Sequence, residues 1–305
     1  LAVMLEGQDG LTWERWQRWA RAVEDLGFAG LYRSDHFTNA NPPALDSLEL
    51  WTSLTWLAAN SRRIEFGPLV TPVSFRHPVF TARTAKDVDD LSGGRLRLGV
   101  GAGWQAHEHE MFGFDLLPVP ERVARLEEGL EVITRLLRSD RPVSFAGRYY
   151  RLQDAVLLPR PARPGGPPVV IGGNGEKATL PLAARFADEW NAVLVPPERF
   201  ARLNARLSEL LQAQGRDPAS VRRTMMNNLT YARDEAELNR LLRGRDRDKL
   251  RASGVIVGTP GDVADQLGAL AAAGVETIML QWLEQDDFDR LEHFAARVLP
   301  QFQRG

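Results

Sequence analysis

The sequence predicts a (β/α)8 TIM barrel with loop insertions at its C-terminal face, and three observations carry that prediction. Short β-like runs alternate with longer stretches of helical period, the pattern of parallel strands joined by crossover helices. The runs number eight. The length of 305 residues, 44% of them hydrophobic, suits one large core, so residues 1–305 are read as a single domain.

In order, the runs cover residues 1–5, 28–34, 64–70, 96–100, 169–172, 190–194, 224–230 and 277–280. Between them apolar side chains recur every three or four positions, as in Trp16, Ala20 and Val23, in Val123, Leu126, Leu130, Ile133 and Leu137, and in Phe200, Leu203 and Leu207. Each stripe predicts one buried helix face. Trp13, Trp16, Trp51 and Trp56 are read as core rather than chemistry. Two connections exceed what a barrel needs. Residues 138–168 hold six prolines with Gly165 and Gly166, which suits an irregular excursion. Residues 233–258 are dense in charge and predict short exposed helices before Pro260 opens the next one. Both are placed to cover a substrate.

Composition narrows the function. With 38 basic residues against 40 acidic ones, nothing draws the chain to nucleic acid or to an anionic membrane surface, so a small-molecule ligand is expected. The lack of cysteine excludes disulfides, thiolate metal ligands and a cysteine nucleophile. No run approaches the roughly 18 apolar residues of a membrane span, and the opening residues lack a basic segment with an apolar stretch behind it; a cytoplasmic protein is the expectation.

In such a barrel the active site is built by the loops that follow the strand C-termini. After the second run stands Ser34-Asp35-His36-Phe37, an acid beside an imidazole able to move a proton near neutral pH. A loop aspartate also caps turns, so the pair alone is modest. For residues 66–73, with Gly67, Pro68 and Pro72, two readings stand: a bulge pressing on a flat ring, or a strand end bent by Pro72 before a helix near Pro78. Gly99, Gly101 and Gly103 allow a backbone to approach a ligand closely, but the third comes one residue too early for a dinucleotide fingerprint. The run His107-Glu108-His109-Glu110 lacks metal-site spacing; it is read as solvated loop, or as offering one imidazole to the pocket, and no metal is expected. The fifth run ends in Gly172-Gly173-Asn174-Gly175 and feeds a helix, whose bare amides and dipole suit a phosphate, with Lys177 as a nearby countercharge.

Taken in series, Ser34-Asp35-His36-Phe37, Leu69-Val70-Thr71-Pro72, Gly99-Val100-Gly101-Ala102-Gly103 and Ile171-Gly172-Gly173-Asn174-Gly175 resemble the luciferase-like monooxygenase family, especially its deazaflavin-dependent branch. The likeness runs through nearly the whole chain and includes residues 122–130 and 258–263. It implies a barrel, usually dimeric, that binds coenzyme F420, or alternatively FMN, with the ring across the strand ends and the phosphate at Gly172, Gly173, Asn174 and Gly175. It places Asp35 and His36 at the reacting centre, with His36 carrying a proton and Asp35 bonding the ring or holding the imidazole. Pro68, Leu69, Val70 and Thr71 would back the ring, with a non-prolyl cis bond between Pro68 and Leu69. Gly101, Gly103 and His107 are implied cofactor contacts, and Trp104 and Gln8 substrate contacts. Sugar-phosphate dehydrogenases of this family carry a catalytic glutamate where this chain has Trp104, so Trp104 is expected as a pocket wall. The expected activity is hydride transfer between the deazaflavin and a small organic substrate. Its alternatives are a reduced-FMN monooxygenase, a flavin-binding relative without turnover, and a hydrolase with paired carboxylates.

Overall fold

The computed structural model describes residues 1–302. The first half of the barrel runs β1 (Ala2–Leu5), α1 (Trp13–Asp25), β2 (Gly30–Arg33), α2 (Leu50–Asn60), β3 (Glu65–Pro68), β4 (Thr71–Pro72), α3 (Pro78–Leu91), β5 (Leu98–Gly101), α4 (Ala106–Phe112) and α5 (Val119–Arg138). A hairpin of β6 (Val143–Ala146) and β7 (Arg151–Ala155) follows, then β8 (Val169–Gly172), α6 (Thr179–Phe186), β9 (Glu189–Val193) and α7 (Pro197–Ala213). The chain ends with β10 (Arg222–Tyr231), α8 (Glu235–Leu242), α9 (Arg247–Ala252), β11 (Ile256–Gly258), α10 (Pro260–Ala272), β12 (Thr277–Gln281) and α11 (Phe288–Arg297).

The barrel strands pair in parallel in the order β3-β2-β1-β12-β10-β9-β8-β5-β4. The seam closes between β3 and the segment leading into β5, through Phe66, whose N–H donates to Arg95 O at 3.2 Å and whose carbonyl accepts from Arg97 N at 2.8 Å. Counting β3 and β4 as one interrupted strand, these are the eight that the sequence predicts, and their helices cover the outside. The apolar stripes behave as periodicity requires: Trp16, Leu130, Ile133, Phe200, Leu203, Leu207 and Leu291 are fully buried between helix and sheet. Trp13 is a correction. As the first residue of α1 it sits at the edge, 39% exposed, with its ring against the edge of Trp56.

Two further corrections concern the long connections. Residues 138–168 are not irregular throughout, because β6 and β7 pair antiparallel and the turn between them is held by Glu128, which accepts from the Arg148 and Tyr149 amides, each at 2.8 Å. The flanking prolines hide this hairpin from a sequence reading. Residues 233–258 do form two short helices, but they end in a strand: β10 outlasts its pairing with β12, and its last residues pair with β11. A three-residue strand gives too short a pattern to be seen in sequence.

The barrel floor is charged. Glu65, Glu189, Arg222 and Thr277 are the first residues of their strands, and Arg97 just precedes β5. Arg222 bonds Glu65 at 2.9 Å and Thr277 at 2.6 Å, lies 3.8 Å from Glu189, and a second ion pair joins Glu65 to Arg97. Burial pushes the Glu189 carboxyl above its ordinary range despite Arg222. The opposite end of the barrel is left to the site.

Candidate active site

At the C-terminal mouth a cavity of about 250 Å³ is lined by Asp35, His36, Leu69, Val70, Pro72, Gly101, Ala102, Gly103, Trp104, Glu108 and Gly172. A larger hollow of about 770 Å³ lies beside Arg15 and Asp286, but it is a polar surface depression. Catalysis needs a water-poor wall with a few aimed polar groups, and the smaller cavity has both.

The floor comes from residues that cannot form regular strand. Between β3 and β4 the chain passes through a cis peptide bond at Leu69–Val70, one residue beyond the expected Pro68–Leu69 position. Glycines opposite admit this kink. A Cβ on Gly99 would lie 2.2 Å from Pro68 O, and one on Gly101 would lie 2.5 Å from Val70 Cγ2. Gly103 holds a φ of +81°, and a side chain there would meet Ser74 Oγ at 2.7 Å. The spaced glycines therefore let the fourth barrel strand press onto the kink and keep the cavity open.

The polar wall rises from the loop after β2. Ser34 Oγ accepts from the Gly7 amide (2.9 Å) and donates to Gln8 Oε1 (2.7 Å), joining the first two loops. Asp35, nearly buried, accepts from Thr71 Oγ1 at 2.7 Å and from Arg76 Nη1 at 2.5 Å, and Arg76 also holds Glu49 at 2.8 Å. Asp35 is thus locked in a structural ion pair and does not hold the imidazole. That partner is Glu108: its Oε1 lies 2.7 Å from His36 Nδ1, and its Oε2 accepts from the Phe37 amide at 2.9 Å. Gln105 lies 3.4 Å from the same nitrogen and donates to Thr38 O at 3.0 Å. Among the described residues no protein group bonds Nε2, and the ring lines the cavity. Burial alone would lower the His36 pKa, but the hydrogen bond and charge of Glu108, aided by Glu6 and Asp35, raise it above its ordinary value.

Trp104 stands with its ring edge-on to His36 at 5.5 Å and 64% exposed, where a pocket wall was expected. Gln8 sits at the mouth with its amide engaged by Ser34 and Glu6. His107 is a correction, because the run around it is helix α4, not loop. On that helix Gln105, Glu108, His109 and Phe112 share one face, so His107 points to solvent, and His109 is buried against Ser74 Oγ (2.8 Å) and Gln105 O (2.7 Å). Glu108, missed in the sequence, is legible once that three-and-four spacing is applied to residues 105–112. Arg76 gives no such signal, since its partners lie far away in sequence.

The glycine-rich turn adjoins the cavity through Gly172. Gly173 has φ +122°, and α6 begins after Ala178, which supplies no side-chain cap; Leu180 N donates to Gly175 O at 2.9 Å and Pro181 has no N–H, which leaves Thr179 as the opening amide of α6 without a backbone partner among the described residues. The Asn174 side chain is committed to the Val193 backbone, donating to its carbonyl at 2.6 Å and accepting from its amide at 3.0 Å. Asn174 therefore shapes the turn, and a phosphate would be gripped by backbone. Gly175, Glu176 and Lys177 are exposed, and Arg202 reaches Glu176 at 3.3 Å. Taken with the flat floor at Leu69–Val70, the residues present fit a three-ring cofactor with a phosphate tail. Among the described residues no group of three or more potential metal ligands occurs, and no helix is long and apolar enough to cross a membrane.

A closed parallel barrel with glycine-lined strand ends, an imidazole at the mouth and an exposed glycine-rich turn defines a class of α/β-barrel proteins with a site at the strand C-termini. Residues 3–250 match the model of the luciferase-like monooxygenases, and the chain belongs to that family. A 4-hydroxyprotoasukamycin monooxygenase of Streptomyces nodosus subsp. asukaensis is 33% identical over 61% of this chain, which spans 48% of that relative's length. An F420-dependent hydroxymycolic acid dehydrogenase of Mycobacterium tuberculosis is 26% identical over 92% of this chain and 82% of its own. Among solved structures, an F420-dependent secondary alcohol dehydrogenase in complex with an F420-acetone adduct superposes over the whole of both chains with a TM-score of 0.84 at 19% identity, a likeness of fold.

Proposed function

We propose that this oxidoreductase moves a hydride between coenzyme F420 and a small organic substrate, with His36 carrying the accompanying proton. The observation that carries the reading is His36 itself: its Nδ1 is fixed by a buried carboxylate, its Nε2 has no partner among the described residues, and the ring lines a cavity floored by Leu69 and Val70. When bound, the deazaflavin supplies the hydride site; the chain supplies position and proton. Leu69 and Val70 would back the ring, with Gly101 and Gly103 leaving room for it, and Gly175 with the Thr179 amide, beside Gly172 and Gly173, would hold the phosphate. Trp104 would flank the substrate at the outer side of the cavity. Two features favour the deazaflavin over FMN: relatives that use it align along most of the chain, and the turn opens to solvent beside Lys177 and Arg202, giving a charged tail beyond the phosphate a way out. The second reading, a reduced-FMN monooxygenase, is favoured by the similarity to the Streptomyces monooxygenase. A homodimer is also proposed, supported by large side chains left exposed on α3 and α4, Phe80 at 65% and Met111 at 58%.

The test is a pair of titrations that follow tryptophan fluorescence as F420 or FMN is added. Saturable binding of F420 well below the concentration needed for FMN is expected. The opposite order establishes the oxygen-using branch instead, and binding of neither removes the reading. In His36→Ala, F420 affinity should hold while turnover falls about a hundredfold, the usual worth of a positioned proton carrier; unchanged turnover would remove His36 from the reaction.

A further inference from the structure

We propose that Glu108 is the positioning residue of this site: through Nδ1 it fixes the His36 ring and supplies the countercharge that lets the ring face the cavity as an imidazolium offering a proton at Nε2. This rests on the reading of the cavity given above but not on which cofactor fills it.

Glu108 is 1% exposed, and a buried carboxylate is tolerated only when it is paired and hydrogen-bonded. Its Oε2 takes the Phe37 amide, a neutral donor, so the charge on Glu108 can be met only through Oε1, and His36 Nδ1 is the group there, at 2.7 Å. Glu108 stands on α4, and the backbone it grips at Phe37 follows directly after His36, so one carboxylate fixes ring and loop together. With Nδ1 the donor to Glu108, the other ring nitrogen is set toward the cavity.

The surrounding charges act in the same direction. From the loop after β1, Glu6 and Asp9 act on His36 by charge; burial and Glu6 raise the Asp9 carboxyl above its usual range, while His36 opposes that rise. From its own loop comes Asp35. The two nearby cations are already engaged, Arg76 by Asp35 and Glu49, and Arg33 by Ser53 Oγ and the Leu48 carbonyl. Gln105 and Trp104, the remaining contacts of the ring, carry no charge. His36 is therefore the cation turned toward the cavity, in a wall that is otherwise acidic or neutral. Such a site gives a proton to an oxygen that gains negative charge, as a carbonyl does on reduction. It is poorly set to remove a proton from an alcohol, which requires the neutral ring that Glu108 disfavours.

The experiment is a histidine-selective NMR titration of the cofactor-free protein. The chain has five histidines, and His36→Gln identifies the signal of interest. In the unmodified protein His36 should titrate above the ordinary imidazole value of about 6.5 with its proton retained on Nδ1. In Glu108→Gln, which keeps the size and an acceptor for the Phe37 amide, the midpoint should fall by about one pH unit or more, a tenfold change in proton affinity, and Glu108→Asp should recover part of it. A wild-type His36 that titrates at or below the ordinary value overturns the proposal without any variant, as does an unmoved midpoint in a folded Glu108→Gln protein. With F420 bound, carbonyl reduction should lose its high-pH plateau in Glu108→Gln through kcat, while KM for the cofactor stays. Failure of F420 to bind would defeat the functional reading and leave the titration result standing.

Discussion

Single atoms decide the shape of the cavity. Gly101 has space for a hydrogen and not for a methyl group, because Val70 Cγ2 would lie 2.5 Å from an added Cβ. Val70 is β-branched and stiff, so it cannot turn away without moving the peptide that floors the site. Gly101→Ala should therefore weaken F420 binding about tenfold, near 1.4 kcal/mol, with little loss of thermal stability; a fluorescence titration matching the unmodified protein would show that the floor tolerates the shift. Arg33 shows another aspect of the same scale. It is fully buried and, among the described residues, has no carboxylate partner, and burial lowers its pKa to about 10. Its guanidinium donates to Leu48 O, Ser53 Oγ and Ser34 O, and so ties the loop before α2 to the strand that carries His36. Neither role is written in sequence: a glycine's neighbours and an arginine's acceptors come from segments distant along the chain. The glycines at 99, 101 and 103 were legible as a need for close approach; what approaches was not.

At the scale of elements, the pattern of strands and helices was readable because burial imposes period. Short β-like runs mark the eight barrel strands to within a residue or two, and the helix stripes fall on buried faces. What escaped reading was short or disguised. Helix α4 spans seven residues of mixed charge, and its inward face joins Gln105, Glu108 and His109 in a way that a loop reading cannot reveal. The added segment α8–α9–β11 is fastened at one carboxylate. Asp262, in the first turn of α10, accepts from Thr259 N (3.1 Å), Thr259 Oγ1 (2.8 Å) and Arg251 (2.9 Å), and pairs with Arg247. Despite some burial, these bonds lower its pKa to about 2. A depressed carboxylate contributes stability that is fully present above its unfolded value of about 3.8 and is lost as pH falls through about 2. Asp262→Asn should cost roughly 1 kcal/mol at neutral pH, after allowance for solvent screening, and the deficit should vanish near pH 2. Hydrogen exchange should locate the loosening in residues 233–262, and a uniform change across the barrel would contradict the fastening role.

For the whole molecule, the prediction concerns association. The apolar side chains exposed on α3 and α4 flank the mouth rather than the floor. Sedimentation at micromolar concentration should give about twice the 34.1 kDa chain mass, and Phe80→Glu should return the monomer. A monomer in the unmodified protein would leave those side chains without the covering proposed for them.

The charged plug under the barrel bears on how such a protein can change. Glu65, Arg97 and Arg222 pair with one another at the ends of the strands farthest from His36, with Thr277 bonded to Arg222 and Glu189 3.8 Å from it. Their cohesion asks nothing of the loops at the other end. The molecule is in this sense modular along its axis: one pole keeps the staves together, and the other is free to be rewritten. Transplanting loops from a relative, or randomising Trp104 and its neighbours, perturbs the pole that selects a substrate and spares the pole that holds the fold. A library built on this chain can therefore explore new chemistry from an intact foundation.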